Sequence, residues 1–162
     1  MSHVDDMALQ DRYAPKNRCF GCGPANPQGL RIKSRVSVEA DGGYLIVADF
    51  QPQSHHLAFG NVVNGGILGA LLDCHSNRTA SHRLMTDEML DAPPCTVTAD
   101  FHVKLKRPTP LDALLRLEAR AVEVDGDRAI VEATVSVEGK VTATCRGTFV
   151  AVQPGHPAYH RW

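Results

Sequence analysis

One segment, residues 64–83, combines a helical start signal with apolar side chains on most of its circumference. Asn64 is a favourable N-cap residue, and two glycines follow it. The next two turns contain the aliphatic residues Ile67, Leu68, Leu71 and Leu72. A helix that is apolar nearly all round belongs inside a fold. The rest of the chain therefore has to supply a surface that wraps it.

The segments around this helix alternate apolar and polar residues with the period of two that is typical of strands. Two such segments precede the helix and four follow it, at residues 30–38, 44–50, 95–107, 113–124, 128–137 and 141–152. Glycine-containing turns separate several of them, which favours antiparallel hairpins. A single helix held by a curved antiparallel sheet of about six strands is an α+β arrangement.

This arrangement accounts for one domain, which we place at residues 19–153. Residues 1–18 are polar and lack periodicity, so we predict an N-terminal arm that is mobile or loosely docked. Residues 154–162 are predicted to be an irregular C-terminal tail. The length of 162 residues is that of one domain.

The composition argues against several classes of partner. Lys plus Arg number 17 against 18 Asp plus Glu, and a net charge of -1 gives no signal for nucleic-acid binding. The longest apolar run is too short to cross a bilayer, and the N-terminus lacks the pattern of a secretory signal. Five cysteines, an odd number spread over the chain, favour reduced thiols and a cytoplasmic location.

The anomaly in the helix is Asp73, which follows the apolar stretch. An unpaired carboxylate there is costly, so it must face a partner, a cleft or a subunit boundary. At helical spacing it belongs to a stripe of small and polar residues: Gly66, Gly69, Ala70, Asp73, Asn77 and Ala80. Small side chains leave room for a ligand or a second subunit. The alternative is that Asp73 only bonds a nearby hydroxyl or Arg and holds the core together.

The glycines at the helix start favour a chemical role. Backbone N–H groups at a helix N-terminus have no intrahelical acceptor and can stabilise a developing oxyanion. Gly65 and Asp73 lie about 12 Å apart along the axis, so one helix cannot easily bring both to the same carbonyl. A two-fold dimer can, because the Asp73 of one subunit then meets the helix start of the other.

Four stretches match one family pattern in order. They are CFGCGPANPQGLRI from Cys19, the block from His56 to Asp73, TADFHVKLKRP from Thr98 to Pro108, and the hairpin around residues 135–150. Together they resemble the PaaI-like acyl-CoA thioesterases of the hotdog superfamily, over roughly residues 19–152. The block that runs from the glycine pair to Asp73 is the most specific of the four. The resemblance implies the hotdog fold, in which a sheet wraps one central helix.

The resemblance also implies hydrolysis of an acyl-CoA thioester. The N–H of Gly65, with Gly66 close by, would polarise the thioester carbonyl. Asp73 of the facing subunit would act as a general base on water or as a nucleophile. Thr98 stands where related enzymes have a hydroxyl near the attacking water; its alternative is an ordinary strand residue. His56 aligns with a loop histidine of the family that shapes the acyl site, or is an exposed loop residue without a role.

One departure from the family pattern concerns the oxyanion hole. The usual His before the glycine pair is Asn64 here. As an N-cap, Asn64 would bond the N–H of Gly66 or Ile67 and leave Gly65 free, or it would alter the hole. We include Asn64 among the substrate-binding residues.

The remaining assignments concern the substrate and the assembly. Asn77 is the second polar group of the stripe, and we assign it to the substrate site. Lys106 and Arg107 belong to the densest basic cluster and would hold the CoA phosphates, unless they are only a solvated strand end. We expect a homodimer and leave open a dimer of dimers, the homotetramer. No cofactor is expected beyond the CoA of the substrate.

Metal binding is not predicted. Cys19 and Cys22 have the spacing of half a zinc site, but neither a second pair of cysteines nor a spaced pair of histidines accompanies them. A loop motif is favoured. Cys74 precedes His75, but neighbours on a helix point about 100° apart and cannot readily bond each other. We therefore interpret Cys74 as a core cysteine.

Two other functions stay open at this point. One is a non-catalytic acyl-CoA-binding dimer, which stays open because Asn64 stands in place of the usual His. A hotdog hydratase or dehydratase requires a His paired with a carboxylate at a defined spacing. Fourteen residues after His56, where such a carboxylate would stand, the chain has Ala70.

Overall fold

Helix α2 (Gly65–Asp87) is the longest element of the computed structural model, which describes residues 3–160. Asn64 caps it as predicted, and it ends four residues beyond the predicted Arg83. Its apolar face is buried in the core, where Leu71 and Leu72 have no exposed surface. Within residues 3–160, no helix has both the length and the apolar composition needed to cross a membrane.

One antiparallel sheet packs against this helix. Its strands are β1 His3–Val4, β2 Arg35–Val38, β3 Tyr44–Phe50, β6 Thr96–Leu105, β7 Leu115–Asp125, β8 Arg128–Val137 and β9 Lys140–Ala151. Their spatial order is β1-β2-β3-β7-β8-β9-β6. A separate two-stranded ribbon, β4 Leu57–Phe59 with β5 Val62–Val63, lies in the loop before α2. The predicted α+β arrangement of one long helix and one antiparallel sheet is confirmed.

The six predicted strands are all present, the first of them only in part. The segment predicted at residues 30–38 forms a strand only from Arg35 onward. Residues 30–32 bond to a loop instead of a neighbouring strand: the N–H groups of Leu30 and Ile32 donate to the carbonyls of Phe20 and Gly21, at 2.7 and 3.1 Å. An alternating sequence does not show whether the backbone of the segment bonds to a loop or to a strand, because the same apolar side chains are buried in either case. The seventh strand, β1, was not predicted.

The prediction of a mobile or loosely docked N-terminal arm is wrong for the described residues 3–18. Strand β1 pairs with β2, and a short helix α1 (Leu9–Tyr13) follows. Leu9 and Gln10 are almost completely buried. The buried part of this arm is too short to produce a periodic pattern in the sequence. The described part of the predicted tail, residues 154–160, contains neither helix nor strand. Residues 1–2 and 161–162 of the predicted arm and tail lie outside the described residues.

A buried polar network joins the arm to α2. The Gln10 side chain donates to Ser34 Oγ at 2.9 Å, and Ser34 Oγ lies 2.8 Å from His75 Nδ1. On the other side of the ring, His75 Nε2 lies 3.1 Å from the carbonyl oxygen of Ile46. A carbonyl only accepts, so Nε2 donates, and in the neutral ring Nδ1 accepts from the Ser34 hydroxyl. This arrangement requires an uncharged His75.

The buried His75 makes stability depend on pH. Burial lowers its pKa to about 4, although the Ile46 carbonyl opposes the shift. An unfolded His has a pKa of about 6.5, so between these values the unfolded chain binds more protons than the folded one. We therefore expect the free energy of unfolding to fall as pH drops from 6.5 to 4, by about 3 kcal/mol from this residue. Denaturant unfolding at a series of pH values measures it.

The matched variant is His75→Gln, which does not titrate. It is expected to be less stable than the wild type at pH 7 and to have a flatter pH profile between 6.5 and 4. The difference between the two profiles isolates His75, because the other histidines titrate in both proteins. Parallel profiles would contradict the expectation.

Candidate active site

Asp73 is half-buried on α2 and lines a cavity of about 640 Å³. The cavity lies between α2, the start of β6 and the loop at residues 17–22. Its lining includes Asn77 and Thr98, which were both assigned to the site from the sequence. The carboxylate thus faces a cleft, which is one of the environments expected for an acid on an apolar helix.

Thr98 contacts Asp73 directly. Its hydroxyl donates to Asp73 Oδ1 at 2.6 Å. The register of β6 against β9 shifts immediately after Thr98, between Thr98 and Asp100. A bulge at this point changes which way the following side chains face.

Asn77 lies one turn beyond Asp73 and fastens the helix to β6. Its side chain donates to the carbonyl oxygen of Thr96 at 3.3 Å and accepts from the Thr96 hydroxyl at 2.8 Å. It is 8% exposed. Its contacts are therefore those of a residue that positions α2 beside Thr98. A role in substrate binding stays a prediction.

The other part of the predicted site is the start of α2. Asn64 Oδ1 accepts from the N–H groups of Gly66 and Ile67, at 2.8 and 3.3 Å. Of the two predicted oxyanion donors, Gly66 is therefore occupied by the cap. Among residues 3–160 no acceptor is bonded to the N–H of Gly65. Asn64 therefore caps the helix in the first of the two ways that the sequence allowed. Of the two predicted donors, Gly65 is the one whose N–H the cap does not use.

His56 supports the same helix start. It is buried, and its carbonyl accepts from the N–H of Asn64 at 2.8 Å. Its Nδ1 accepts from the N–H of Gln53 at 3.0 Å, and its ring stacks on Phe50. Burial, and then the neighbouring His55, lower the pKa of His56. The alternative of an exposed loop histidine is wrong, since these contacts set the path of the chain into α2.

Lys106 and Arg107 follow the end of β6 and are exposed. Their N–H groups both donate to the carbonyl of Thr142, at 2.8 and 3.2 Å. The preceding residue, Leu105, lies over the helix start: a Cβ added to Gly65 would be 3.0 Å from Leu105 Cδ1. The two basic residues are therefore close to Gly65 in the same protomer.

The structure thus divides the predicted site residues into two groups. The first group lies on the cavity and contains Asp73, Asn77 and Thr98. The second group surrounds the helix start and contains His56, Asn64, Gly65, Gly66, Lys106 and Arg107. About 12 Å of helix separates the two groups. One protomer therefore does not assemble the whole predicted site.

Three cysteines beside Asp73 form a cluster that the sequence did not predict. Cys19 Sγ lies 3.7 Å from Cys74 Sγ, and the sulfur atoms of Cys19, Cys22 and Cys74 are all within 4.8 Å of one another. The interpretation of the first two as a plain loop motif, and of Cys74 as an isolated core cysteine, missed this contact. The C-x-x-C spacing was the available signal. Its third partner is 52 residues further along the chain, on another element.

The comparisons with known proteins identify the family. A model of the thioesterase superfamily matches residues 60–144, which is more than half of the chain. The protein therefore belongs to the thioesterase superfamily, and the predicted hotdog fold is confirmed. No curated protein matches the sequence.

Solved structures show the same fold. A thioesterase superfamily protein from Shewanella loihica is 26% identical with a TM-score of 0.65, over 89% of this chain and 99% of that one. A phenylacetic acid degradation-related protein from Ralstonia eutropha is 24% identical with a TM-score of 0.60, over 75% and 86%. The PaaI protein of the Escherichia coli phenylacetic acid degradation operon is 15% identical with a TM-score of 0.63, over 76% and 81%. The last two show the fold alone.

The Asn64 cap provides a test of the helix start. Asn64→Ala removes the acceptor for two N–H groups, and we expect it to reduce the free energy of unfolding by about 1 kcal/mol. Asn64→Asp keeps an acceptor at the same place and should remain close to the wild type. Denaturant unfolding with unchanged m-values measures both. Equal stability of Asn64→Ala and the wild type would show that the cap contributes nothing.

Proposed function

We propose that the protein hydrolyses the thioester of a small or medium acyl-CoA, with Asp73 as the catalytic carboxylate. The observation that supports this most directly is the Thr98–Asp73 pair in an open cavity. A carboxylate that is positioned by a hydroxyl at a cleft can orient a water molecule beside an electrophile. Membership in the thioesterase superfamily agrees with that chemistry.

The proposed reaction uses few groups. Water, or Asp73 itself, attacks the thioester carbon while the N–H of Gly65 donates to the carbonyl oxygen, which becomes negative. When water attacks, Asp73 takes its proton. The tetrahedral intermediate then collapses, the C–S bond breaks, and the leaving thiolate receives that proton. When Asp73 attacks instead, breaking the C–S bond leaves the acyl group on the carboxylate as a mixed anhydride. Water then hydrolyses this anhydride, which releases the acid, frees Asp73 and supplies the proton that the thiolate takes up. No metal and no cofactor takes part in these steps.

The proposed site requires a second copy of the chain, and β6 is the element that supports this. It is an end strand of the sheet, so only one of its edges is paired within residues 3–160. Two of its apolar side chains, Phe101 and Leu105, are exposed, Leu105 by 58%. Phe59 in the ribbon before α2 is 69% exposed. A long, partly apolar edge is the kind of surface that pairs with another chain.

Antiparallel pairing of two β6 strands about a two-fold axis would complete the site. Thr98, near one end of β6, lies over Asp73, and Leu105, at the other end, lies over Gly65. A two-fold axis between these positions reverses the partner strand, so the partner's Leu105 would lie beside Thr98. The partner's Gly65 would then approach Asp73. Two equivalent sites form in each dimer.

The remaining predicted residues fit the same arrangement. Lys106 and Arg107, close to Gly65, would hold the CoA phosphates at the end of the site that the partner supplies. His56 and Asn64 would act by fixing the loop and the cap around Gly65. We place the protein in the cytoplasm, where its five free cysteines would stay reduced.

The catalytic role of Asp73 is tested by Asp73→Asn, which keeps an acceptor for the Thr98 hydroxyl but cannot take a proton. We expect kcat/KM for acyl-CoA esters to fall by a factor of roughly 10²–10⁴. Affinity for CoA should be retained. Release of free thiol from a panel of acyl-CoA esters measures the rates, and calorimetric titration with CoA measures the affinity.

The matched control is Asp41→Asn, at a carboxylate that accepts from the N–H of Gly43 in an exposed turn. It should leave the rate unchanged. Full activity of Asp73→Asn would contradict the proposed chemistry. A wild type that binds acyl-CoA and turns over none of the panel would identify the protein as an acyl-CoA-binding dimer.

The role of Gly65 is tested by Gly65→Pro, because proline is tolerated at the first position of a helix and has no N–H to donate. Asn64 has φ -57° and ψ 133°, a conformation compatible with a following proline. We expect kcat to fall by a factor of roughly 10²–10³. Gly65→Ala is the control, since it adds a Cβ against Leu105 and keeps the N–H.

Mixing the two inactive variants tests the subunit boundary. In a mixed dimer of Asp73→Asn and Gly65→Pro protomers, one site combines both defects and the other has neither. Co-refolded equal amounts should recover about a quarter of the wild-type activity per protomer, since half of the dimers are mixed. Failure to recover activity in verified mixed dimers would show that each site lies within one protomer.

A further inference from the structure

The three-cysteine cluster combines two parts of the chain that are distant in sequence. Cys19 and Cys22 belong to the loop that forms one wall of the Asp73 cavity, and Cys74 belongs to α2. Cys22 is buried, Cys74 is half-buried and Cys19 is exposed. The cluster therefore has a closed side within the protein and an open side at the cavity.

The spacing of the sulfur atoms fits a tetrahedral metal. Zinc–thiolate bonds of about 2.3 Å at tetrahedral angles place neighbouring sulfur atoms about 3.8 Å apart. The Cys19–Cys74 separation is 3.7 Å, and the other separations do not exceed 4.8 Å. Small side-chain rotations in the loop would bring all three within bonding distance of one ion. Three thiolates with tetrahedral geometry favour zinc over harder divalent cations.

The loop is shaped for this approach. A Cβ added to Gly21 would lie 2.4 Å from Cys74 Sγ, so only glycine allows the loop to come so close to α2. The N–H of Gly23 donates to the carbonyl of Cys19 at 2.8 Å, which closes the turn. Glycine at position 21 therefore allows the loop cysteines to approach Cys74.

The charge of the surroundings is compatible with a bound metal. Three thiolates with one Zn²⁺ carry a single net negative charge. The buried guanidinium of Arg78, which lines the same cavity as the three cysteines, would offset that charge.

We propose that Cys19, Cys22 and Cys74 bind one Zn²⁺ ion, whose fourth position faces the cavity and is filled by water. The ion would fix the loop at residues 17–22 onto α2 and so define one wall of the Asp73 cavity. A disulfide would use only two of the three sulfur atoms and would leave the third as a buried thiol. The site goes beyond the proposed thioester chemistry and does not depend on it.

The test begins with the full-length protein purified under reducing conditions and incubated with Zn²⁺. Elemental analysis after dialysis should find one zinc per chain. Replacement by Co²⁺ should produce the absorption bands of tetrahedral coordination and a thiolate-to-metal charge-transfer band. Cys19→Ser, Cys22→Ser and Cys74→Ser should each lower zinc affinity at least tenfold, whereas Cys95→Ser, at a buried cysteine outside the cluster, should retain it.

Two further variants separate the alternatives. Gly21→Ala keeps all three sulfur atoms and should weaken zinc binding by moving the loop. Asp73→Asn should retain one zinc, so that loss of hydrolysis and loss of metal are distinguishable. Absence of zinc from folded wild type, full zinc content in the three cysteine variants, or Co²⁺ spectra without thiolate ligation would overturn the proposal. The proposal would also be overturned if mass spectrometry found a Cys19–Cys74 or Cys19–Cys22 disulfide in protein that was purified under reducing conditions and then incubated with Zn²⁺.

Discussion

Burial of α2 against the sheet is the interaction on which the rest of the structure depends. The helix contributes Leu71, Leu72 and Leu84 to a core that also contains Leu117 and Val131 of the central strands. Burial of each such side chain contributes on the order of 2 kcal/mol. An element held this firmly can present polar groups at its margins without moving, which a loop could not do.

The proposed catalytic groups lie at the margins of the helix. Asp73 is half-buried and lines the cavity together with Asn77 of the same helix and Thr98 of strand β6. Thr98 and Asn77 hold strand β6 and the helix together on that side. At the helix start, Asn64 takes up the N–H of Gly66 and leaves that of Gly65 exposed. One helix thus carries the acid at one point and the proposed oxyanion donor at another.

The separation of these two points gives strand β6 its importance. Strand β6 passes over both Asp73 and Gly65. An antiparallel partner strand paired along its open edge would therefore bring the Gly65 end of one protomer to the Asp73 end of the other. A half site in each protomer would then become a whole site in the dimer, and catalysis would depend on assembly. The cysteine cluster lies beside Asp73 in the same cavity, where the loop at residues 17–22 meets α2. A metal there would make that loop as rigid as the helix.

Local patterns determined most of the fold. The capped apolar helix and the alternating segments predicted α2, the six main strands and their antiparallel arrangement, since periodicity records which face of an element is buried. The same patterns singled out Asp73 and Gly65, because an acid and bare amides on an apolar helix conflict with burial alone. They did not predict that residues 30–32 bond to a loop, or that Leu9 and Gln10 anchor the N-terminal arm.

The tertiary structure decided what depends on distant parts of the chain. It placed the Thr98 hydroxyl against Asp73, bonded the N–H of Gly66 to the Asn64 side chain, and placed Cys74 against Cys19, 55 residues away. None of these contacts has a periodic signature, because each joins single side chains from different elements. Periodicity tells which face of an element is buried, but only the folded chain determines which side chain from elsewhere meets it there.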